Sequence, residues 1–109
     1  MSELALTMER NMITEVVIFP IPKDMTREQV INLYEKSVPT WRANPDLIHK
    51  SFLYDPQNRR GGGVYLWKNI EAAKRGHDSK WCARMAEVFG GEPKFDYFES
   101  PVVIDNAVK

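Results

Sequence analysis

The sequence is poor in cysteine, since its 109 residues include only Cys82. A single cysteine cannot form an internal disulfide, so we expect a reducing compartment. Long apolar runs are also missing, because none approaches the roughly 20 residues that span a bilayer. The first segment, MSELALTMERN, carries acidic residues and no long apolar centre, so no secretory signal is expected. We therefore predict a cytoplasmic protein with no membrane partner.

An excess of charge of either sign is missing as well. Lys plus Arg and Asp plus Glu both number 15, which gives a net charge of zero. Without a global field, we expect no nucleic acid as a partner. The apolar fraction of 43% fits a folded globule, and the length fits one domain. We expect a flexible N-terminal arm at residues 1–11 and a single domain at residues 12–109.

The pattern of apolar residues predicts the element order β-α-β-β-α-β. Strands are predicted at residues 12–20, 47–55, 62–68 and 93–100, and helices at residues 22–38, 69–76 and 78–89. Thr26 with Gln29 fits a capping box, and Asn69 and Asp78 suit the N-caps of the later helices. Pro39 should break or kink the first helix before it.

This order is the split βαβ arrangement and predicts an α+β, ferredoxin-like fold. Its helices cover one face of the sheet, yet large residues point to both faces, as in Val16 beside Val17 and Val64 beside Tyr65. A second sheet from an identical chain would cover the remaining face. An extra C-terminal strand at residues 102–104 could pair with the edge of that partner sheet. We therefore predict a homodimer.

The stretch RRGGGVYLW, residues 59–67, raises the question of a phosphate-binding loop. Such a loop needs glycines that lead into the N-terminus of a helix, whereas these glycines lead into a strand. The spacing also matches neither the dinucleotide fingerprint nor the Walker pattern. We interpret Gly61 to Gly63 as a bend or bulge that leaves space for a ligand or a partner chain.

His49 lies beside Lys50 on the second predicted strand, so one of the two must point toward the helices. An imidazole on that side could act as a general base toward a phenol or an enol, because its pKa lies near neutral pH. His49 is therefore the candidate catalytic residue. The alternative is a histidine that is hydrogen-bonded in a polar patch between two sheets.

Aromatic residues supply candidate walls for a binding pocket. Rings between a sheet and its helices can sandwich a flat apolar ligand, although the same residues also suit an ordinary core. Tyr65 and Trp67 share one strand face, and Tyr54 joins them if the register permits. The candidate substrate-binding residues are Tyr34, Trp41, Tyr54, Tyr65, Trp67, Trp81 and Arg84.

Each of the other polar candidates could have a structural role instead of a functional one. Arg84 could anchor a carboxylate or phenolate, or it could form a surface ion pair with Glu87 or Asp78. His77 follows a helix break and is predicted to be an exposed loop residue, with guarding a pocket mouth as the alternative. Cys82 is expected to be a small buried residue rather than a nucleophile. The two histidines have no partners at metal-ligand spacing, so we expect neither a metal nor another cofactor.

Three stretches, GGVYLWKNIEAAKRG, WCARMAEVFGGEP and FDYFESPVVIDN, resemble the YdhR-type mono-oxygenases. These belong to the dimeric α+β barrel superfamily, which also holds the antibiotic-biosynthesis mono-oxygenases. The likeness runs from about Met12 to Asn106. It implies a homodimer with two back-to-back sheets and a pocket between each sheet and its helices. Some members of the superfamily oxidise polycyclic phenols with O₂ and no cofactor, whereas others isomerise lactones or decompose haem.

Three functions follow from this resemblance together with the residues. The first is a cofactor-independent mono-oxygenase that acts on a small aromatic or polyketide-like compound. The second is a non-catalytic dimer that binds a small apolar or aromatic ligand, as a stress-associated protein would. The third is an isomerase or lyase that transfers protons without O₂. Oxygen uptake separates the first from the third, and binding without turnover favours the second.

Overall fold

A computed structural model describes residues 11–107 of the chain. The predicted N-terminal arm at residues 1–11 lies outside the described residues, apart from Asn11. Four strands and three helices follow in the predicted order. They are β1 (Ile13–Pro20), α1 (Arg27–Arg42), β2 (Leu47–Asp55), β3 (Arg60–Trp67), α2 (Ile70–Gly76), α3 (Ser79–Phe89) and β4 (Lys94–Glu99). None of the helices among these residues is long and apolar enough to cross a membrane.

The four strands form one antiparallel sheet in the order β2-β3-β1-β4. The two crossovers, through α1 and through α2 with α3, give the split βαβ topology that the sequence predicts. The α+β, ferredoxin-like fold is therefore confirmed. Strands β1 and β3 therefore lie at the centre of the sheet, and β2 and β4 lie at its edges.

The helix ends follow local signals in the sequence. The Thr26 hydroxyl accepts the backbone N–H of Gln29, and the Gln29 side chain accepts the N–H of Thr26, which completes the predicted capping box. Asn69 and Asp78 cap α2 and α3 in the same way. The predicted break before Pro39 is wrong, because α1 continues through it to Arg42. Proline removes only one helical hydrogen bond, and packing of the last turn against the core offsets that loss.

Burial alternates along the central strands. On β1, Glu15, Val17 and Phe19 are buried, whereas the residues between them are only half-buried. Tyr65 and Trp67 on β3 continue the buried face. Residues with a period of two share a face, so these side chains all point toward the helices and form the core. The full buried apolar set is Val17, Phe19, Ile21, Val30, Tyr65, Trp67, Ala72, Ala73 and Phe89.

The opposite face of the sheet is apolar and less covered. Val16 and Ile18 on β1 and Val64 on β3 are half-buried there. Phe98 on β4 pairs with Thr14 on this face and is 57% exposed. A row of large apolar side chains on an uncovered sheet face is the pattern from which the sequence predicts a partner chain.

The extra C-terminal strand predicted at residues 102–104 is not formed within the described part of the protomer. The chain leaves β4 at Glu99, and residues 101–107 contain no strand. Val102 and Ile104 are each 81% exposed. Pro101 cannot donate a ladder hydrogen bond, which explains why pairing along β1 stops here. Pairing of this segment with the sheet edge of a partner stays a prediction.

A substitution at Gly62 tests how closely β1 and β3 approach each other. Its φ is +154°, and an added Cβ would lie 1.8 Å from the Val17 carbonyl oxygen. We expect Gly62→Ala to lower the free energy of unfolding by about 3 kcal/mol or more, because strain and a backbone clash add together. Urea unfolding followed by circular dichroism measures this loss.

Gly90→Ala is the matched control for that substitution. Gly90 also has a positive φ, +74°, but an added Cβ there would meet nothing within 4 Å. Its expected loss is about 1 kcal/mol, from backbone strain alone. Equal losses for the two variants would show that the contact with Val17 is not tight.

Candidate functional site

A cavity of about 240 Å³, more enclosed than the neighbouring grooves, lies between the helix-facing side of the sheet and helices α1 and α3. Its walls are mainly aromatic and aliphatic. The lining residues are Phe19, Leu33, Tyr34, Ser37, Trp41, Lys50, Phe52, Gly62, Tyr65, Trp81, Arg84, Met85, Val88 and Phe89. A larger groove of about 560 Å³ near Pro22 is more open, and the described residues around it include no aromatic ring. The enclosed cavity is therefore the better candidate for a ligand site.

Four aromatic rings cluster at one end of this cavity, where three of them line it and Trp67 lies beneath them. Tyr65 and Trp67 stack along β3 with centroids 5.9 Å apart. Trp41, from the last turn of α1, meets Tyr65 edge-on at 5.2 Å. Trp81, from α3, meets Trp41 edge-on at 6.4 Å. Edge-on and stacked rings are the favoured aromatic geometries, so these walls are held in place before any ligand enters.

The glycines of β3 make room for Tyr34 on α1. An added Cβ at Gly61 would lie 2.3 Å from the Tyr34 hydroxyl oxygen. That hydroxyl donates to the Leu53 carbonyl at 2.7 Å and accepts the Gly62 N–H at 3.2 Å. Burial raises the pKa of Tyr34, and the Gly62 N–H partly opposes this rise. Tyr34 thus ties α1 to two strands, and its hydroxyl already has both a donor and an acceptor partner.

Lys50 is the cation inside the cavity. Its Nζ lies 3.9 Å from the ring centroids of Trp41 and Phe52 and 4.4 Å from that of Tyr65. None of the ion pairs within 4.0 Å among the described residues includes it. Burial lowers the pKa of Lys50 to about 7, and the Glu15 carboxylate partly opposes this fall. A substantial fraction of the amine is therefore neutral near pH 7.

The predicted catalytic residue, His49, does not line this cavity. It is exposed and lies on the other side of β2 from Lys50. A β-bulge between Leu47 and His49 shifts the register, so that Lys50 pairs with Tyr65 and His49 with Leu66. If Ile48 instead paired regularly with Leu66, His49 would stand opposite Tyr65 on the cavity side. The bulge thus places the amine, and not the imidazole, in the cavity.

A buried acid and histidine lie beneath the aromatic walls. Glu15 is fully buried, and its Oε1 accepts the Trp67 indole N–H at 2.8 Å. The same oxygen lies 2.8 Å from Nδ1 of His77, whose side chain is also fully buried. The prediction that His77 is an exposed loop residue is wrong. His77 lies between α2 and α3, and its side chain points into the core. Its ring centroid is 4.3 Å from that of Trp81 and 4.5 Å from that of Tyr65.

The sheet register links Glu15 to Lys50. Lys50 on β2 pairs with Tyr65 on β3, Tyr65 pairs with Glu15 on β1, and Glu15 pairs with Tyr97 on β4. Directly paired residues share a face, so these four form one row across the helix-facing side. Burial, with a smaller contribution from the Glu15 carboxylate, raises the pKa of Tyr65. Tyr65 therefore stays protonated at neutral pH.

Five of the eight residues predicted for the site line the cavity. They are Tyr34, Trp41, Tyr65, Trp81 and Arg84. Trp67 lies beneath the cavity as a fully buried residue. Tyr54 pairs with Gly61, far along the strand from Tyr65, and its ring lies 5.7 Å from the guanidinium carbon of Arg27. The register therefore does not bring Tyr54 to the group.

Arg84 is exposed at the edge of the cavity. Among the described residues it forms neither of the ion pairs expected with Glu87 and Asp78. Its guanidinium is thus free to meet an anionic group of a ligand. Cys82 is half-buried, and burial raises the pKa of its thiol, which fits an unreactive cysteine.

Sequence reasoning missed Lys50 and Glu15, and it misplaced His77. For Lys50 the signal was partly present, because strand alternation required either His49 or Lys50 to face the helices. Glu15 stands in a strand of β-branched residues, ITEVVIFP, where a lone acid at a core parity position is the only sign of a buried carboxylate. No local pattern showed that His77 would reach it.

No model of a known protein family matches this chain, and no curated protein matches it either. Solved structures do resemble it. A protein of unknown function from Nitrosomonas europaea, NE2512, is 9% identical, with a TM-score of 0.72 over 88% of this chain and 95% of that one. SnoaB, a cofactor-independent oxygenase from Streptomyces nogalater, is 9% identical, with a TM-score of 0.60 over 91% of this chain and 99% of that one.

The mono-oxygenase ActVA-Orf6 of Streptomyces coelicolor, in complex with Nanaomycin D, is also similar. It is 18% identical, with a TM-score of 0.64 over 94% of this chain and 97% of that one. At such identities the likeness is one of fold. The superfamily and the YdhR-type family therefore both stay predictions.

The buried pair of Glu15 and His77 can be tested through stability. Glu15→Ala would leave the Trp67 indole N–H and the His77 ring without their partner in the core. Breaking a buried pair from one side costs about 3–5 kcal/mol, so we expect a loss of that size in urea unfolding. Glu15→Gln should cost less, because the amide oxygen can still accept the indole N–H.

Glu35→Ala is the control, since Glu35 is exposed on α1. Its expected effect is within about 0.5 kcal/mol. If Glu15→Ala were no more harmful than Glu35→Ala, the buried contacts of Glu15 would not contribute to stability.

Proposed function

We propose that this protein is a cofactor-independent mono-oxygenase that acts on a small aromatic or polyketide-like phenol. The observation that carries the proposal is the position of the Lys50 amine, which lies against three aromatic rings inside the enclosed cavity. A phenol needs a flat apolar site and a group that takes its proton, and this cavity offers both. The shared fold with SnoaB, which is a cofactor-independent oxygenase, supports the same chemistry.

Binding would depend mainly on the rings. A cavity of about 240 Å³ suits a small compound. Trp41, Trp81 and Tyr65 would face such a compound on different sides. Arg84 at the edge would hold a second anionic substituent, such as a carboxylate, outside the apolar part. Nanaomycin D in ActVA-Orf6 shows that a neighbour in fold holds a small ligand.

Proton transfer would start the reaction. Neutral Lys50 takes the phenol proton, and the ammonium that results stays beside the phenolate and stabilises it. The faces of Trp41, Phe52 and Tyr65 also favour the ammonium, because the ring quadrupole attracts a cation. The low polarity of the cavity strengthens this ion pair relative to water.

Oxidation would then need only O₂. The phenolate gives one electron to O₂, and the phenoxyl radical and superoxide combine to form a C–O bond. Lys50 returns its proton to the peroxide, the ring C–H proton leaves, and the O–O bond breaks. One oxygen atom stays in the quinone product and the other leaves as water. The substrate supplies all four electrons, so no external reductant enters the balance.

A homodimer is part of this proposal. The apolar side of the sheet away from the cavity, with Val16, Ile18 and Phe98, suits a second copy of the same face. Packing two such sheets against each other would bury these residues and leave both cavities accessible from outside. The sequence resemblance to the dimeric α+β barrel superfamily implies the same arrangement.

Lys50→Met tests the catalytic role of the amine. Removing a general base typically lowers the rate by about 10²–10⁴-fold, so oxygen uptake with 1-naphthol and related phenols should fall by at least about 100-fold. In the wild type, the rate should rise as the pH passes about 7, because only the unprotonated amine accepts a proton. Oxygen-electrode measurements between pH 5 and 9, with the ionic strength kept about constant, report both effects.

Lys36→Met is the control, since Lys36 is an exposed lysine of α1 outside the enclosed cavity. It should keep the wild-type rate and pH profile. Binding of phenols without oxygen uptake by the wild type would contradict the proposal and favour a ligand-binding protein. Product formation without oxygen uptake would favour an isomerase or lyase.

The dimer is tested by mass in solution. Light scattering at micromolar concentration should give about twice the chain mass of 12.6 kDa. Phe98→Arg places a charge on the apolar sheet face and should shift the mass toward that of one chain. Asn32→Arg adds the same charge at an exposed position on α1 and should leave the dimer intact. A wild type that stays at 12.6 kDa would contradict the dimer.

A further inference from the structure

The surroundings of Lys50 differ from those of every other described lysine. Lys68 lies 4.0 Å from the Asp46 carboxylate and is partly exposed. The remaining ones, Lys23, Lys36, Lys74, Lys80 and Lys94, are all exposed. Lys50 alone among them extends into an enclosed cavity, against three aromatic rings and without a carboxylate within 4.0 Å. A desolvated lysine in an apolar pocket is the arrangement of amine nucleophiles in proteins.

None of the described residues that line the cavity with Lys50 is an anion. Tyr65 on β3 and Tyr34 on α1 are uncharged at neutral pH, because burial raises the pKa of both. Arg84 on α3 is a cation at the edge of the cavity. The nearest acid is Glu15 on β1, two strands away with Tyr65 between them, and it is already engaged by Trp67 and His77.

We propose that Lys50 forms a Schiff base, so that the cavity takes aromatic aldehydes and ketones as covalent ligands. This goes beyond the mono-oxygenase reaction, since it needs neither O₂ nor a phenol, although both use the same cavity. The Lys50 nitrogen lies among ring faces that would sandwich the aromatic part of the ligand. The carbonyl carbon would then stand at the amine, and a carboxylate substituent would reach Arg84.

The covalent step balances with water as its second product. The lone pair of neutral Lys50 attacks the carbonyl carbon, and the C=O π pair moves to the oxygen. A proton passes from nitrogen to oxygen, which gives a carbinolamine. Loss of hydroxide, protonated as it leaves, then forms the C=N bond and releases one water. The proton that this step needs comes from solvent water.

Reductive trapping tests the proposal directly. The protein is incubated at pH 7 without oxygen with 2-naphthaldehyde and sodium cyanoborohydride, and its mass is followed by mass spectrometry. We expect peptide mapping to locate one fast reduced adduct at Lys50, counted apart from any adduct at the N-terminal amine, whose ordinary pKa is near 8. Near pH 7 a lysine of ordinary pKa is neutral to less than about 0.1%, so Lys50 should react at least about tenfold faster than exposed lysines.

Two variants and one competitor make the result specific. Lys50→Met should lose the fast adduct, whereas Lys36→Met should keep it, and thermal melting shows whether each variant is folded. Excess 1-naphthol, which has no carbonyl group, should slow labelling of Lys50 in the wild type by occupying the cavity. Labelling of Lys50 no faster than of the exposed lysines, or equal labelling of Lys50→Met, would overturn the proposal.

The failure of this proposal can be told apart from failure of the proposed oxygenase. A fast Lys50 adduct in a protein that takes up no oxygen with phenols would uphold the amine chemistry and contradict the mono-oxygenase. Oxygen uptake that depends on Lys50, without any fast adduct, would uphold the mono-oxygenase and contradict the Schiff base.

Discussion

The carboxylate of Glu15 connects the parts of this molecule that meet at the cavity. It accepts the indole N–H of Trp67 from β3 and lies 2.8 Å from Nδ1 of His77 at the junction of α2 and α3. Both partners are themselves fully buried side chains, so the contacts replace water that neither group could otherwise reach. The ring of His77 in turn supports Trp81 and Tyr65, which line the cavity. A buried polar contact thus holds the aromatic walls in their places.

The cavity combines apolar walls with one amine, that of Lys50. The surroundings of this amine affect its charge in opposite directions. Desolvation disfavours the ammonium form of Lys50, whereas the ring faces and the distant Glu15 carboxylate favour it. The balance leaves the pKa of Lys50 at about 7, so that small changes around it move the amine between a base and a cation. Tyr34 is different, because its hydroxyl is already used to join α1 to the sheet. Lys50 is therefore the residue that can react, whereas Tyr34 maintains the shape of the cavity.

Local features of the sequence were enough to predict much of the fold and part of the site. The capping box at Thr26 and the strand at β1 depend on neighbouring residues, and both are confirmed. Trp41, Trp81 and Tyr65 were found because helical and strand periodicity places them on the inner faces. His77 was misplaced because its burial depends on Glu15, 62 residues away in the chain, and no local pattern reports such a contact. The helix through Pro39 likewise depends on packing, which outweighs the local preference.

The β-bulge near the start of β2 has a consequence for how such a cavity can change over generations. Because the side chains of a strand alternate, regular pairing of Ile48 with Leu66 would exchange the two sides of the strand that follows. The cavity would then contain an imidazole where the present chain has an amine. Descendants of one scaffold could therefore move between two kinds of proton chemistry through loss of the bulge by a register shift, while the rings on the helices and on β3 stay where they are.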